Sequence, residues 1–191
     1  MNPTETAALT SAIVVCIGWF VLHRQSTKLA QLNARLSHVN QQLEHFYGPL
    51  LMACIAGRAA ATALTEKRNR FNKRFSDGTA TDEDLEEFCH WMKHVFMPLN
   101  ERREKIVLEH AHLIAEDHAP QVLLDFTAHV ASYRAILARW ALNDFSLLQP
   151  RVHFPASLND YANHGYASLK REQADLMGRM KGNAFRRLIG Y

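Results

Sequence analysis

The sequence predicts an all-α protein in which a single N-terminal transmembrane helix continues into a bundle of about five helices. The first observation behind this prediction is an uncharged apolar segment at residues 7–22. The second is the low content of glycine and proline, 8 and 6 of 191 residues, which leaves long stretches without a helix breaker. The third is that apolar residues recur at three- and four-residue spacing instead of alternating as they do in strands. We therefore expect an anchor at 1–23, a helical bundle at 24–182 and a C-terminal tail at 183–191.

The apolar segment 7–22 is short for a membrane span, which needs about 17 to 25 residues, so a signal peptide is the alternative. Signal peptides begin with basic residues, whereas the leading hexapeptide MNPTET contains a glutamate and no Lys or Arg. Arg24, Lys28 and Arg35 follow the segment, and basic residues close to a span stay on the cytoplasmic side. These flanks predict a retained single-pass anchor with its N-terminus outside and its C-terminal region inside. An energy-transducing inner membrane, mitochondrial or bacterial, is favoured.

The helix that follows the anchor has one apolar seam, because its large apolar residues alternate between three- and four-residue steps. These residues are Leu29, Leu32, Leu36, Val39, Leu43 and Phe46. Pro49 is expected to end this helix, since proline lacks a backbone donor and disfavours helical geometry at Gly48. A second helix at 50–75 is then expected to turn back towards the membrane. Its small residues at every fourth position predict close approach by a neighbouring helix, and they are Ala53, Gly57 and Ala61.

Capping residues and prolines divide the rest of the chain. After a turn at 76–79, the predicted helices cover residues 81–97, 98–116, 120–142 and 157–180, with the longest loop at 143–155. Two pairs have the spacing of a capping box, Thr81 with Asp84 and Ser157 with Asp160. Pro98 and Pro120 are expected in the first turns of their helices, where a missing backbone donor costs least.

The composition argues against several classes of protein. The 22 Lys and Arg residues exceed the 19 Asp and Glu residues by only three, a small excess for a nucleic-acid-binding protein. The three cysteines form no CxxC pair, which is typical of buried thiols in a reducing compartment. The sequence contains neither a glycine-rich phosphate loop nor a G-x-S-x-G nucleophile motif. We therefore expect a protein that is not an enzyme.

Two E-x-x-H pairs, Glu87 with His90 and Glu109 with His112, have the spacing of ligands in carboxylate-bridged di-iron bundles. The helical period, however, places the first pair opposite the apolar face of its helix and points His112 away from the buried stripe. His90 and His94 are spaced to share a zinc ion, but no third ligand follows at a recognisable interval. We therefore expect no bound metal and no cofactor.

His110 and His129 fall on the apolar stripes of their helices, and both are therefore candidates for burial. One interpretation is structural, with His129 hydrogen-bonded to a backbone carbonyl, to Tyr133 or to Asp125. The other is functional, with two histidines that respond to protons or hold a cofactor, because the pKa of a buried imidazole shifts across neutral pH. The sequence leaves both interpretations open.

The densest positive charge, here called the basic cluster, lies near the end of the predicted second helix. Its members are Lys67, Arg68, Arg70, Phe71, Lys73, Arg74 and Phe75. If that helix returns to the membrane, the cations bind anionic headgroups and the two phenylalanines enter the interface. A solvated face is one alternative, and single-stranded nucleic acid, which suits basic residues among aromatic ones, is another. We favour anionic lipid or an acidic partner, and expect no nucleic acid.

The last residues combine positive charge with large apolar side chains, and we call them the docking tail. They are Phe185, Arg186, Arg187, Leu188, Ile189 and Tyr191. Chain ends fray unless something holds them, so such an apolar end predicts docking onto another subunit.

Three functions follow from these features. The leading prediction is a non-catalytic accessory or scaffold subunit of a membrane protein complex, whose partners are the other subunits and anionic membrane lipids. The second is a membrane-anchored sensory or ligand-binding module that uses His110 and His129. The third is a lipid- or nucleic-acid-binding protein that uses the basic cluster.

Overall fold

The computed structural model describes the backbone of residues 3–188 and the side chains of residues 16, 18–20, 22–67 and 69–182. Within this part every regular element is helical, which confirms the all-α prediction. The α-helices are α1 (Pro3–Gln41), α2 (Gly48–Ala63), α3 (Thr65–Ser76), α4 (Asp82–Trp91), α5 (Met97–Glu109), α6 (Gln121–Trp140) and α7 (Leu158–Leu188). The π-helical segments Gln42–Tyr47 and Met92–Phe96 join α1 to α2 and α4 to α5. The described backbone thus forms five continuous helical stretches, as predicted.

The prediction that Pro49 ends a helix is wrong, because the helix passes through it. The Gly48 N–H donates to the carbonyl of Leu43, five residues earlier, so the preceding turn is wider than an α-helical turn. A wider turn leaves room for the proline ring, which in a regular α-helix collides with the carbonyl four residues before it. A π-helical segment also precedes Pro98, and that predicted boundary is equally absent. The contact of the basic cluster with anionic lipid stays a prediction.

Two helix ends differ from the sequence prediction. The predicted helix 50–75 is interrupted at Leu64, whose backbone dihedrals leave the helical region, and the bend there is 59°. The predicted helix 98–116 ends at Glu109, because His110 adopts φ −116° and ψ 24°. A single 3-10 turn, Ala111–Leu113, follows that end.

The membrane anchor remains a prediction. Among the described residues, no single helix combines the length and hydropathy of a membrane span, although the bent pair Gly18–Ala63 and Thr65–Ser76 does so jointly. Most side chains of the apolar segment 7–22 lie outside the described residues, and so do the side chains of the docking tail.

The chain divides into two compact units. The first contains the described residues up to Asn40 and those from Arg171 onward. Within it, Arg35 donates two hydrogen bonds to the carboxylate of Glu172, at 2.7 and 2.9 Å, and so joins α1 to α7. The second unit is Gln41–Lys170. The predicted boundaries of the anchor and the tail stay predictions.

The Gln41–Lys170 unit has its own apolar core, in which α2 lies against α5 and α5 lies against α6. The completely or almost completely buried side chains of this core include Phe46, Leu50, Phe126, Val130, Ile136 and Leu158. The end of the predicted apolar seam lies in this core, since Leu43 and Phe46 are 9% and 0% exposed. Tyr47 adds a polar contact, because its hydroxyl accepts the N–H of Ala115 at 3.2 Å.

Candidate functional site

The Gln41–Lys170 unit contains a cavity of about 480 Å³ that is lined by α2 to α6 and by the loop between α6 and α7. Buried side chains form its inner part, and they are Cys54, Phe71, Met92, Asn100, Arg103, His129 and Tyr133. Exposed polar side chains form its mouth, and they include Arg58, Lys67, Arg70, Gln149 and His153. Small-molecule sites in proteins have volumes of about 300 to 1,000 Å³, and this cavity falls within that range.

Arg103 is the most unusual group in the cavity, because its side chain carries a charge and the residue is only 4% exposed. Its Nη1 donates to the Asn100 Oδ1 at 2.6 Å, and its Nη2 donates to the Ala53 carbonyl at 2.8 Å. Its Nε has no hydrogen-bond partner. Among the described residues, no carboxylate forms an ion pair with this guanidinium. Burial lowers the pKa of Arg103, but a guanidinium keeps its proton at neutral pH, so the cavity contains an unbalanced buried cation.

Gly57 makes this position of Arg103 possible. A Cβ at Gly57 would overlap the Nη2 of Arg103, so any larger residue would displace the guanidinium. The small-residue repeat of α2 predicted close approach by a neighbouring helix, and the approaching group is the side chain of Arg103 on α5.

Cys54 lies beside the guanidinium and is 1% exposed. Burial raises the pKa of the Cys54 thiol, and this effect exceeds the opposing effect of Arg103. The thiol therefore stays neutral near pH 7 and supplies no negative charge to Arg103.

Aromatic side chains give the cavity apolar walls. The Phe154 ring, which belongs to the loop before α7, has its centroid 5.6 Å from the Arg103 Cζ, within the range of a cation–π contact. Phe71 of α3 and Phe88 of α4 stack almost parallel on one another, with centroids 4.6 Å apart. The cavity therefore combines a cationic centre with surfaces that suit an apolar or aromatic group.

His129 lies in the cavity wall and is 5% exposed, in agreement with its place on the apolar stripe. Its Nδ1–H donates to the Val152 carbonyl at 2.8 Å, which fastens the α6–α7 loop to α6. Burial lowers the pKa of His129, so the imidazole is neutral near pH 7. This contact supports the structural interpretation of His129.

His110 does not join His129 in the cavity. It is half-buried and follows the end of α5, so its place on the predicted helical stripe does not bring it into the core. Its ring lies 5.6 Å from that of His45 and 6.2 Å from that of His112, measured between centroids. The expectation that both histidines are buried is therefore wrong for His110.

The basic cluster is partly neutralised by α4. Lys67 Nζ lies 2.5 Å from a Glu87 carboxylate oxygen, and Arg74 donates to both oxygens of Asp84 at 2.9 and 2.7 Å. These pairs hold α3 against α4, which the sequence did not predict.

Other members of the basic cluster differ from one another in exposure. Phe71 is 5% exposed and packs on Phe88, which leaves it no surface for the predicted lipid contact, whereas Phe75 is 54% exposed. Arg70 and Lys73 are exposed, and Arg68 lies outside the described side chains. The cluster therefore contributes to a helix contact and to the mouth of the cavity.

The residues considered as metal ligands do not converge. Within the described part of the chain, no three His, Cys, Asp or Glu side chains are placed to hold a metal ion. His90 and His94 lie on an exposed face with ring centroids 4.7 Å apart. Glu87 is engaged by Lys67, as described above.

Sequence reasoning missed Arg103, because it lies in the polar string NERREK. The spacing of apolar residues in this helix nevertheless indicated that Arg103 is buried. Arg103 follows Leu99 by four residues and precedes Ile106 by three, so it falls on the apolar stripe of its helix. A charged residue at such a position is a candidate for a buried functional group.

No protein family model, no curated protein and no solved structure matches the chain.

Proposed function

We propose that this protein is a membrane-tethered, non-catalytic helical module that binds a small molecule in the cavity around Arg103. The observation that carries this proposal is a cavity of about 480 Å³ whose inner wall contains a buried guanidinium without a counter-charge. Leaving such a charge unpaired is unfavourable, so a site of this kind is best explained by a ligand that completes it. Among the three functions predicted from the sequence, this proposal corresponds to the ligand-binding module. It assigns to Arg103 the binding role that the sequence analysis gave to His110.

The protonation states in the cavity support binding without catalysis. Nucleophilic cysteines have a lowered pKa, whereas burial raises the pKa of Cys54. Burial also raises the pKa of Tyr133 to about 12, so its hydroxyl holds its proton near pH 7. His129 uses its Nδ1–H to hold the Val152 carbonyl. These groups suit a binding site better than an acid–base or nucleophilic centre.

The tether is proposed from the sequence. Residues 7–22 carry no charge, and Arg24, Lys28 and Arg35 follow them, a pattern that favours an inner-membrane protein with its helical bundle on the inner side. A tethered binding module would hold its ligand close to the membrane surface.

Native mass spectrometry of the full-length protein, extracted in mild detergent from the cells that contain it, tests the proposal. We expect a small-molecule adduct that is weakened or lost in an Ala61→Phe variant, because Ala61 lines the cavity and a phenyl ring there would occupy part of it. Ala59→Phe is the matched control, since Ala59 lies on the exposed face of the same helix. An adduct that is as abundant in Ala61→Phe as in the wild type, or a wild-type protein that carries no adduct and binds no member of a fragment collection by ligand-observed NMR, would contradict the proposal.

A second candidate function is the accessory subunit of a membrane complex, and the outward face of α2 favours it. This face is exposed and apolar, with Met52, Ile55, Ala56, Ala59 and Ala63. Met52 and Ile55 are 63% and 50% exposed, and adjoining exposed apolar side chains are typical of surfaces that bind other proteins. A defined high-mass assembly in mild detergent that is lost in a Met52→Lys, Ile55→Lys double variant would favour this function, and a monomer in the wild type would exclude it.

A further inference from the structure

The charge balance of the cavity specifies part of its ligand. A buried ion is unfavourable unless an opposite charge or several hydrogen bonds compensate it. The partners of Arg103 carry no charge, since they are the Asn100 side-chain oxygen, the Ala53 carbonyl and the neutral Cys54 thiol. An anion bound at the guanidinium would supply the missing charge.

Arg103 has N–H donors that no described residue uses. A guanidinium has five N–H donors, and the hydrogen bonds of Arg103 to Asn100, Ala53 and Cys54 use at most three of them. The Nε–H is buried and unpartnered. A carboxylate or phosphate that accepts from two N–H groups of one guanidinium forms the bidentate pair typical of arginine.

The position of the guanidinium is fixed before any ligand arrives. Gly57 leaves the space that it fills, the Ala53 carbonyl accepts from its Nη2, and the Phe154 ring lies 5.6 Å from its Cζ. A group that is already held in place loses little freedom when a ligand binds.

The charged residues at the mouth of the cavity also favour an anionic ligand. Arg58 and Arg70 are exposed residues of the lining, while the two acidic residues there, Asp84 and Glu87, are held by Arg74 and Lys67. Cationic side chains around an opening raise the local concentration of anions and exclude cations.

The remaining wall suits the rest of such a ligand. The Phe71, Phe88 and Phe154 rings line the cavity together with Trp91. From these features we infer that the cavity binds an amphipathic anion, with a carboxylate or phosphate on Arg103 and an apolar or aromatic body against the phenylalanines. This inference rests on the proposed function and adds the chemical class of its ligand.

Four soluble probes test it by isothermal titration calorimetry on the full-length protein in detergent, with empty micelles as the reference. They are 1-naphthoate, 1-naphthyl phosphate, the uncharged 1-naphthamide and inorganic phosphate. We expect at least one naphthyl anion to bind about tenfold or more tightly than 1-naphthamide, as charge-assisted hydrogen bonds predict. Inorganic phosphate, which lacks the apolar body, is expected to bind more weakly than the naphthyl anions. The stronger of the two naphthyl anions identifies whether the natural headgroup is a carboxylate or a phosphate.

Variants assign the selectivity to Arg103. Arg103→Gln removes the charge and is expected to abolish the preference for anions while 1-naphthamide still binds. Arg103→Lys keeps the charge without the fork, so an intermediate preference is expected, and this variant remains informative if Arg103→Gln does not fold. Arg102→Gln, at an exposed neighbour on the same helix, is the matched control and is expected to bind as the wild type does.

The possible failures are distinguishable. If every naphthyl probe binds the wild type and 1-naphthamide binds as tightly as the anions, the inferred ligand class is wrong and the cavity remains a binding site. If anion preference survives both Arg103 substitutions, the inference is also overturned. If none of the naphthyl probes binds, the proposed function itself is contradicted.

Discussion

The guanidinium of Arg103 occupies the space that a side chain at Gly57 would fill. A Cβ at Gly57 would overlap its Nη2, and that same Nη2 donates to the Ala53 carbonyl one turn earlier in α2. The contact joins α2 to α5 through a glycine and a charged side chain. This pair of residues therefore contributes both to the packing of the two helices and to the wall of the cavity.

The substitution Gly57→Ala should destabilise the protein. Overpacking costs about 1 to 3 kcal/mol, which outweighs the gain of about 0.5 to 1 kcal/mol that alanine brings to a helix. Chemical denaturation of the full chain measures the difference. Gly178→Ala is the matched control, because Gly178 is helical and nothing lies within 4 Å of its added Cβ, and it should leave stability unchanged or raise it. Equal stabilisation by both substitutions would mean that Arg103 does not occupy this space.

Gly165→Ala tests a second close approach, between α7 and the π-helical segment. A Cβ at Gly165 would overlap the Tyr47 ring, which is 1% exposed and whose hydroxyl is fixed by the Ala115 N–H. We expect a loss of about 1 to 3 kcal/mol of unfolding free energy, because the ring has no free space to move into.

The double variant Gly165→Ala, Tyr47→Leu supplies the control for that prediction. Leucine removes the ring, so the two changes should cost less together than the sum of their separate effects. Strictly additive losses of unfolding free energy would show that the alanine at Gly165 and the ring do not meet.

Thr81→Ala should destabilise the start of α4 by about 1 kcal/mol, the usual cost of removing an N-cap hydroxyl. The Thr81 Oγ1 accepts the Asp84 N–H at 3.2 Å, and the Asp84 carboxylate accepts the Thr81 N–H at 3.1 Å. Thr79→Ala is the control, since the Thr79 hydroxyl makes only one long hydrogen bond, 3.5 Å to the Arg74 carbonyl. Indistinguishable denaturation midpoints for the two variants would contradict a stabilising cap at Thr81.

Features that depend on neighbouring residues were predictable from the sequence. The capping box of Thr81 and Asp84 is formed as predicted, because both partners lie within one helical turn. The seam that ends at Phe46 was predictable for a similar reason, since the helical period alone decides which residues share a face. The low glycine and proline content, together with the three- and four-residue spacing of apolar residues, was enough to predict the all-α fold.

The helical path through Pro49 was not predictable from local rules. These rules describe correctly the clash that proline causes in an α-helix, but they do not include the alternative of a wider turn. Phe46 and Leu50, on either side of Pro49, are both 0% exposed. Packing against the rest of the core therefore favours a continuous helix with a local π-helical turn over a broken one.

The cavity was unpredictable because its parts are distant in sequence. Arg103 was overlooked as part of a polar string, and its burial depends on Gly57 of another helix. The ion pairs of Lys67 and Arg74 were unpredictable for the same reason, since their carboxylate partners belong to α4. His129 was singled out from its helical face, but its acceptor lies in the α6–α7 loop, whose course the sequence does not reveal.

The buried His129 should make stability depend on pH. Burial lowers the pKa of His129 below its ordinary value of 6.5, so between these two values the unfolded chain binds a proton that the folded chain does not. The free energy of unfolding is therefore expected to fall as the pH decreases from 6.5 towards the folded-state pKa, and His129 contributes no such slope above about pH 7.5.

The variant His129→Gln tests this dependence in urea denaturation series at different pH values. It should remain folded, because its amide N–H can donate to the Val152 carbonyl. Its free energy of unfolding should decrease less steeply with falling pH, because glutamine does not titrate. His90→Gln, at an exposed position, is the control and should keep the wild-type slope, whereas parallel curves for His129→Gln and the wild type would contradict the burial of a neutral imidazole.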